Sequence, residues 1–141
     1  MNIGFTGTRN GMSFAQESEF KSILEGLTRT TQVLEFHHGD CVGSDALAHQ
    51  IVKNNYPSIS IVVHPPSQDI LRAYCQGNRI ERPRSYLVRN RHIVDQSDIL
   101  IATPKEYVNI LKSGTWATIR YAQKLSKRVI VIFPVGSTKQ L

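Results

Sequence analysis

Cysteine is scarce in this chain: Cys41 and Cys75 are the two in 141 residues. Two cysteines cannot build the disulfide framework of a small secreted scaffold. Neither sits in a CxxC pair, and no Cys/His group has zinc-site spacing, so the expectation is two free thiols and no metal. Long apolar runs are missing as well. Nothing approaches the ~20 apolar residues of a membrane-spanning helix. The opening MNIGFTG has neither the basic n-region nor the apolar h-region of a secretory signal. The expectation is a cytoplasmic protein with no membrane partner. Tryptophan occurs once, as Trp116, and acidic residues are outnumbered, 11 against 17 Lys and Arg, for a formal net charge of +6.

A positive balance favours anionic partners without choosing among them. Its distribution says more. Arg72, Arg79, Arg82, Arg84, Arg89 and Arg91 fall in one 20-residue window that holds no lysine. Arginine is the better bidentate ligand for phosphate. Gly77 and Pro83 mark part of the window as a loop, long enough to be functional rather than a simple connector.

What is present is an ordinary globular composition, 40% hydrophobic and 20% charged, in one domain spanning residues 1–141 with room for a real core. Strand-like runs alternate with helix-like runs. Asn2–Thr6 reads as a strand, ended by Gly7-Thr8-Arg9-Asn10-Gly11. Ser13 is positioned as the N-cap of a helix whose stripe is Phe14, Phe20, Ile23, Leu24 and Leu27. Val33–His37 is a second strand. Gly43 or Ser44 opens a helix running to about Asn54. Ile59–Val63 is a third strand, a helix spans about Ser85 to Gln96, and Asp98–Ala102 is a fourth strand. The loop Thr103–Ser113 leads to a helix from Gly114 to Ser126, and Arg128–Phe133 is the fifth strand. The tail, Val135–Leu141, is expected to fray. This alternation predicts an α/β fold: a Rossmann-like three-layer sandwich with a mostly parallel five-stranded sheet and helices on both faces. In such sheets the ligand crevice lies beyond the C-terminal strand ends, at the switch in strand order.

Four segments are suited to holding an anion there. Gly7 to Asn10 allows close backbone approach, with Thr8 and Arg9 supplying a hydroxyl and a charge; it is not a GxGxxG fingerprint. Gly39, Asp40, Gly43, Ser44 and Asp45 bracket a loop that enters a helix start, where N–H groups attract anions; Asp45 is equally placed to cap its own helix. Arg89 and Arg91 lie two apart, so on a helix they point in different directions. Thr103, Ser113, Gly114 and Thr115 follow the fourth strand and open the last helix, another phosphate-ready terminus. Trp116 is placed either to stack on a base or to pack, against the sheet or another subunit.

Taken in order, the segments IGFTGTR, HGDCVGSDALAH, RNR and SDILIATP with SGTWATIRYAQKLSKRVIVIFP resemble the SLOG superfamily of Rossmann-like domains. The likeness is greatest to its small YspA-related branch and to the Rossmann core of DprA-type DNA-processing proteins, and it runs from about Asn2 to Pro134. Gly39, Gly43, Asp45 and Ala48 match that superfamily's G-x-x-x-G-x-D-x-x-A segment. The resemblance implies a nucleotide-related ligand. Lonely-guy-type members are phosphoribohydrolases whose motif is PGGxGTxxE with an upstream Arg. Arg89 and Gly114-Thr115 match parts of it. The glutamate position holds Ala117 or Thr118, the PGG is absent, and Lys105–Lys112 is an insertion. The resemblance so read implies a binder without a catalytic residue or cofactor, for an ADP-ribose-type or cyclic nucleotide signal, acting as a sequestering protein or sensor module. It also implies a homo-oligomer. Two alternatives stand beside it: a nucleotide N-glycosidase using a displaced carboxylate (Asp40, Asp45, Glu81 or Glu106), and DprA-like binding of single-stranded DNA as a nucleic-acid partner.

Overall fold

The computed structural model describes residues 1–141. Its elements are β1 (Asn2–Gly7), α1 (Phe14–Thr30), β2 (Glu35–His38), α2 (Ser44–Asn55), β3 (Ser60–Val63), β4 (Arg79–Ile80), α3 (Tyr86–Asp95), β5 (Ile99–Thr103), α4 (Gly114–Lys124), β6 (Arg128–Ile132) and β7 (Thr138–Gln140). The sheet runs β4-β3-β2-β1-β5-β6-β7. All pairings are parallel except β6 with β7, which is antiparallel.

The α/β, Rossmann-like architecture is as the alternation predicts, but the sheet has seven strands, not five. Both additions lie at the edges. Arg79 and Ile80 extend the sheet beside Val62 and Val63 from inside the arginine window. The tail expected to fray instead turns back at Gly136 and lays Thr138, Lys139 and Gln140 against Ile132, Val131 and Ile130. Neither edge strand has an apolar pattern, because an exposed edge needs only backbone pairing.

The inner strands read as continuous apolar runs because helices cover both of their faces. Along β5, Ile99 and Ile101 join a core with Ile3, Phe5, Phe20, Phe36 and Val52, under α1 and α2. Leu100 and Ala102 face the other way, into a core with Val94, Trp116, Ile119 and Val131, under α3 and α4. Ser13 caps α1 through a full capping box with Gln16. Phe14, read as part of the buried stripe, is 87% exposed, as the helix turns its first residue to solvent. No helix is long and apolar enough to cross a membrane.

One switch in strand order positions the site. β1 pairs with β2 on one side and β5 on the other, so the strand order switches at β1. The C-terminal ends of β1 and β5 therefore open onto one crevice. Gln16, 1% exposed, holds that end closed from below. Its side-chain N–H donates to the carbonyls of Pro104 and Ile132, each at 2.8 Å.

Candidate functional site

A cavity of about 630 Å³ occupies this crevice, within the ~300–1,000 Å³ typical of small-molecule sites. It gathers Gly7, Thr8, Arg9 and Asn10 from β1, Gly39 and Asp45 from the β2–α2 region, Arg89 from α3, and Ser113, Gly114 and Thr115 from α4. Ten of the sixteen residues read from the sequence thus meet at one surface.

The other six sit nearby in different roles. Asp40, fully buried with φ 55, is committed. Its Oδ1 accepts the Cys75 backbone N–H at 2.8 Å and its Oδ2 accepts Arg72 Nε at 3.1 Å. Gly43 adopts φ 92, and a Cβ there would lie 2.1 Å from the Arg9 carbonyl oxygen, so only glycine lets the two loops touch. Ser44 stitches the same loops together by donating its hydroxyl to the Thr8 carbonyl at 2.6 Å. Thr103 is buried below Gly7. Arg91 lies over the Tyr121 ring, on the α3–α4 side. Trp116 packs in the core under α4 rather than lining the cavity. Of the two readings held for it, the packing one fits its place.

Ten further residues complete the lining, with Phe5 and Thr6 from β1 and Cys41 from the loop after β2 among them. Tyr86, Asn90 and Ile93 come from α3, and Lys105, Glu106, Ile110 and Lys112 from the loop between β5 and α4. With Arg89, the α3 residues fall at i, i+3, i+4 and i+7, so helical periodicity was a usable signal. The loop residues had none, since nothing local says that this loop folds back over the crevice. It does so because Arg120 holds it. That guanidinium donates to the Asn109 side chain, to the Ile110 carbonyl at 3.2 Å and to the Leu111 carbonyl at 3.1 Å. Tyr107 adds a stacked contact on Phe133, with centroids 5.8 Å apart.

The site's charge is cationic on balance: Arg9, Arg89, Lys105 and Lys112 against Asp45 and Glu106. Arg89 is only 5% exposed. It donates to the carbonyl oxygens of Gly39 and, at 3.3 Å, His64, and its Nε donates to Asn90 Oδ1 at 2.7 Å. None of these partners carries a charge. Arg9 and Arg89 both approach the ring of Tyr86, at 4.8 and 5.2 Å from its centroid. At α4, the Ser113 hydroxyl accepts the Trp116 N–H at 3.2 Å. The N–H groups of Gly114 and Thr115 have no acceptor within the helix and are free for a ligand.

Asp45 is the chemically distinct group. It is 6% exposed, and its Oδ2 accepts the Cys41 N–H at 3.2 Å. Its Oδ1 is buried without a partner, as is the Tyr86 hydroxyl. Burial pushes the Asp45 carboxyl up to about 6, against the opposing pull of Arg89. An unmatched acceptor on a cavity wall fits a ligand hydroxyl or N–H. Among the other carboxylates considered, Glu106 lines the cavity, Asp40 is locked, and Glu81 pairs with Arg79 at 2.9 Å beside β4.

Folding also brings together His38, His49 and Cys75, whose ligand atoms lie within 4.8 Å of one another. Sequence spacing hid this group, yet its hydrogen bonding opposes a metal. His38 Nδ1 accepts the Asp40 backbone N–H at 3.0 Å, so Nε2 carries the proton that bridges to His49 Nδ1 at 2.9 Å. Metal-bound histidines instead donate from their second nitrogen. Burial, with Asp40 nearby, also pushes the Cys75 thiol up to about 12, away from the thiolate a metal needs.

No protein-family model matches the chain, and no curated protein matches it. Among solved structures, the chain is similar to the X-ray structure of TM1055, a structural-genomics target. The TM-score is 0.62 at 14% identity, over 91% of this chain and 71% of that one. At that identity the likeness carries the Rossmann-like α/β fold alone.

Proposed function

We propose that this protein binds a phosphorylated, nucleotide-derived small molecule in the β1–β5 crevice and holds it unchanged, as a sequestering protein or a sensor module. One observation carries the reading: Asp45, which keeps a buried carboxylate oxygen unpartnered, lines a cavity whose other charged groups are mainly cations. Phosphate is matched by Arg9, Lys105, Lys112 and the free N–H groups of Gly114 and Thr115. A ribose hydroxyl is matched by Asp45. The SLOG resemblance supports the same reading and directs it toward ADP-ribose-type or cyclic nucleotides. It also carries self-association into the proposal, which native mass spectrometry tests by subunit count.

The direct test is calorimetry with AMP, ADP-ribose and cyclic ADP-ribose on wild type and Arg9→Ala, which removes an exposed cation of the cavity lining. A charge-assisted bond contributes ~1.5–3 kcal/mol, so the variant should lose about tenfold or more in affinity. Unchanged affinity would sink the assignment.

A second reading, N-glycoside hydrolysis, gains from the raised Asp45 carboxyl, since a base titrating near neutrality suits general acid–base work. Chromatography after incubation separates the two. Intact nucleotide means a binder; free base with ribose phosphate means an enzyme, and Asp45→Asn should then abolish the products.

A further inference from the structure

A second concavity, about 320 Å³, runs between α3 and α4. Its walls are Leu87 and Arg91 from α3, and Ala117, Arg120, Tyr121 and Lys124 from α4. Asn90 lines both this groove and the crevice, so the two adjoin at one side chain. Asn90 Oδ1 is occupied by Arg89 Nε, which leaves its amide hydrogens at the junction as donors.

The groove mixes apolar side chains, Leu87, Ala117 and Tyr121, with positive charge held in no ion pair. None of Arg91, Arg120 and Lys124 lies in an ion pair. Arg120 donates only to neutral oxygens of the β5–α4 loop. Arg91 lies 5.3 Å from the Tyr121 ring centroid. Tyr121 in turn donates its hydroxyl to Asp95 at 2.7 Å, and Asp95 is not among the lining residues. An aromatic ring and short apolar side chains suit the face of a base. Flanking guanidinium and ammonium groups suit a phosphate.

Resting on the nucleotide reading above, we propose that this groove is a second subsite. It receives the second nucleotide of a dinucleotide whose first nucleotide lies in the crevice, with the linkage passing Asn90. The ligand class is thereby a dinucleotide rather than a mononucleotide.

Calorimetry with AMP and the linear dinucleotide pApA tests this on wild type and on the double variant Arg91→Glu/Lys124→Glu. Both replaced side chains are exposed, and thermal melting checks that the fold is kept. Wild type should bind pApA at least about tenfold more tightly than AMP. The double variant should lose that gain while its AMP affinity stays within about twofold of wild type. Equal wild-type affinities for AMP and pApA, or a parallel loss of both in the variant, would overturn the subsite and leave the crevice assignment standing. So would a change in the ligand-free variant's subunit count by native mass spectrometry, since the groove would then be an interface between copies. Failure of wild type to bind either compound overturns the nucleotide reading and this inference with it.

Discussion

Arg89 and Asp45 face each other across Gly39 without forming an ion pair. A Cβ on Gly39 would lie 2.4 Å from Arg89 Nη1 and 2.9 Å from Asp45 Oδ2, so glycine is what lets both groups close in on one point. Arg89 spends its donors on the carbonyls of Gly39 and His64 and on Asn90. Asp45 keeps one oxygen unpartnered. Two opposite charges in one buried wall that attract each other without a direct hydrogen bond are only partly compensated for their lost hydration, and that cost falls when a ligand supplies further partners.

Ligand affinity should therefore depend on Asp45 ionisation. Its carboxyl is raised from 3.8 to about 6 in the fold. Between those values the folded state holds a proton that the unfolded chain has released. Stability is then fully present below pH 3.8 and is lost as pH rises through 6, by about 3 kcal/mol in total. A ligand hydroxyl that donates to the carboxylate should bind better above pH 6 than below it. Calorimetry of ADP-ribose from pH 5 to 8 should show affinity rising through that range, and Asp45→Asn should flatten the rise. The same substitution should raise the melting temperature at pH 7.5 while weakening binding.

Acid should destabilise the protein through its buried histidines. His37, His38, His49 and His64 are all lowered from 6.5, by burial first, with His64 brought to about 3. Burial disfavours their charged forms in the fold, where His37 and His64 share a 2.8 Å hydrogen bond. The unfolded chain takes up protons below pH 6.5, so stability present above that value falls as pH drops toward 3. Each such histidine contributes a slope of up to ~1.4 kcal/mol per pH unit, and together they outweigh the opposite slope from Asp45. Urea melts at pH 7.5, 5.5 and 4.5 should show a steady fall, shallower in His64→Gln.

Gly43→Ala should unfold the site's entrance. The φ of 92 disfavours any side chain, and the new methyl would meet the Arg9 carbonyl oxygen. Backbone strain of this kind costs ~1–3 kcal/mol before the clash is counted. Thermal melting should drop, and hydrogen exchange should speed up at Thr8 to Gly11. A neutral outcome would mean that the two loops are not in contact.

Trp116→Phe separates packing from base stacking. Trp116 is 6% exposed among Val94, Leu100, Ile119 and Val131. Trimming it should cost ~1–3 kcal/mol of stability through lost packing and leave AMP affinity within about twofold. A tenfold loss of affinity at unchanged stability would restore the stacking role.

Much of the site was legible because its parts obey local rules. Ser13 with Gln16 announces a helix start, Gly39 to Asp45 announces a loop entering a helix, and Gly114-Thr115 announces another free helix terminus. The arginine window was the misleading signal. Six arginines in one stretch suggested a phosphate-gripping loop, yet Arg72 is bound to Asp40, Arg79 to Glu35 and Glu81, and only Arg89 reaches the cavity. Ion pairing depends on carboxylates far away in sequence, so composition cannot sort the free cations from the spent ones.

By itself, the sequence determined the alternation of strands and helices, the apolar runs of the inner strands, and the loops that end at helix starts. Those features rest on period, capping and backbone freedom, which act over a few residues. The tertiary structure alone decided the rest. It turned Arg89 inward and Arg91 to the α3–α4 groove, and it paired His37 with His64 and His38 with His49. It also recruited the tail as β7 and folded the β5–α4 loop over the crevice through Arg120. Each of these outcomes depends on a partner brought close only by packing, and burial, which raises Asp45 and lowers the histidines, exists only once the two cores have closed.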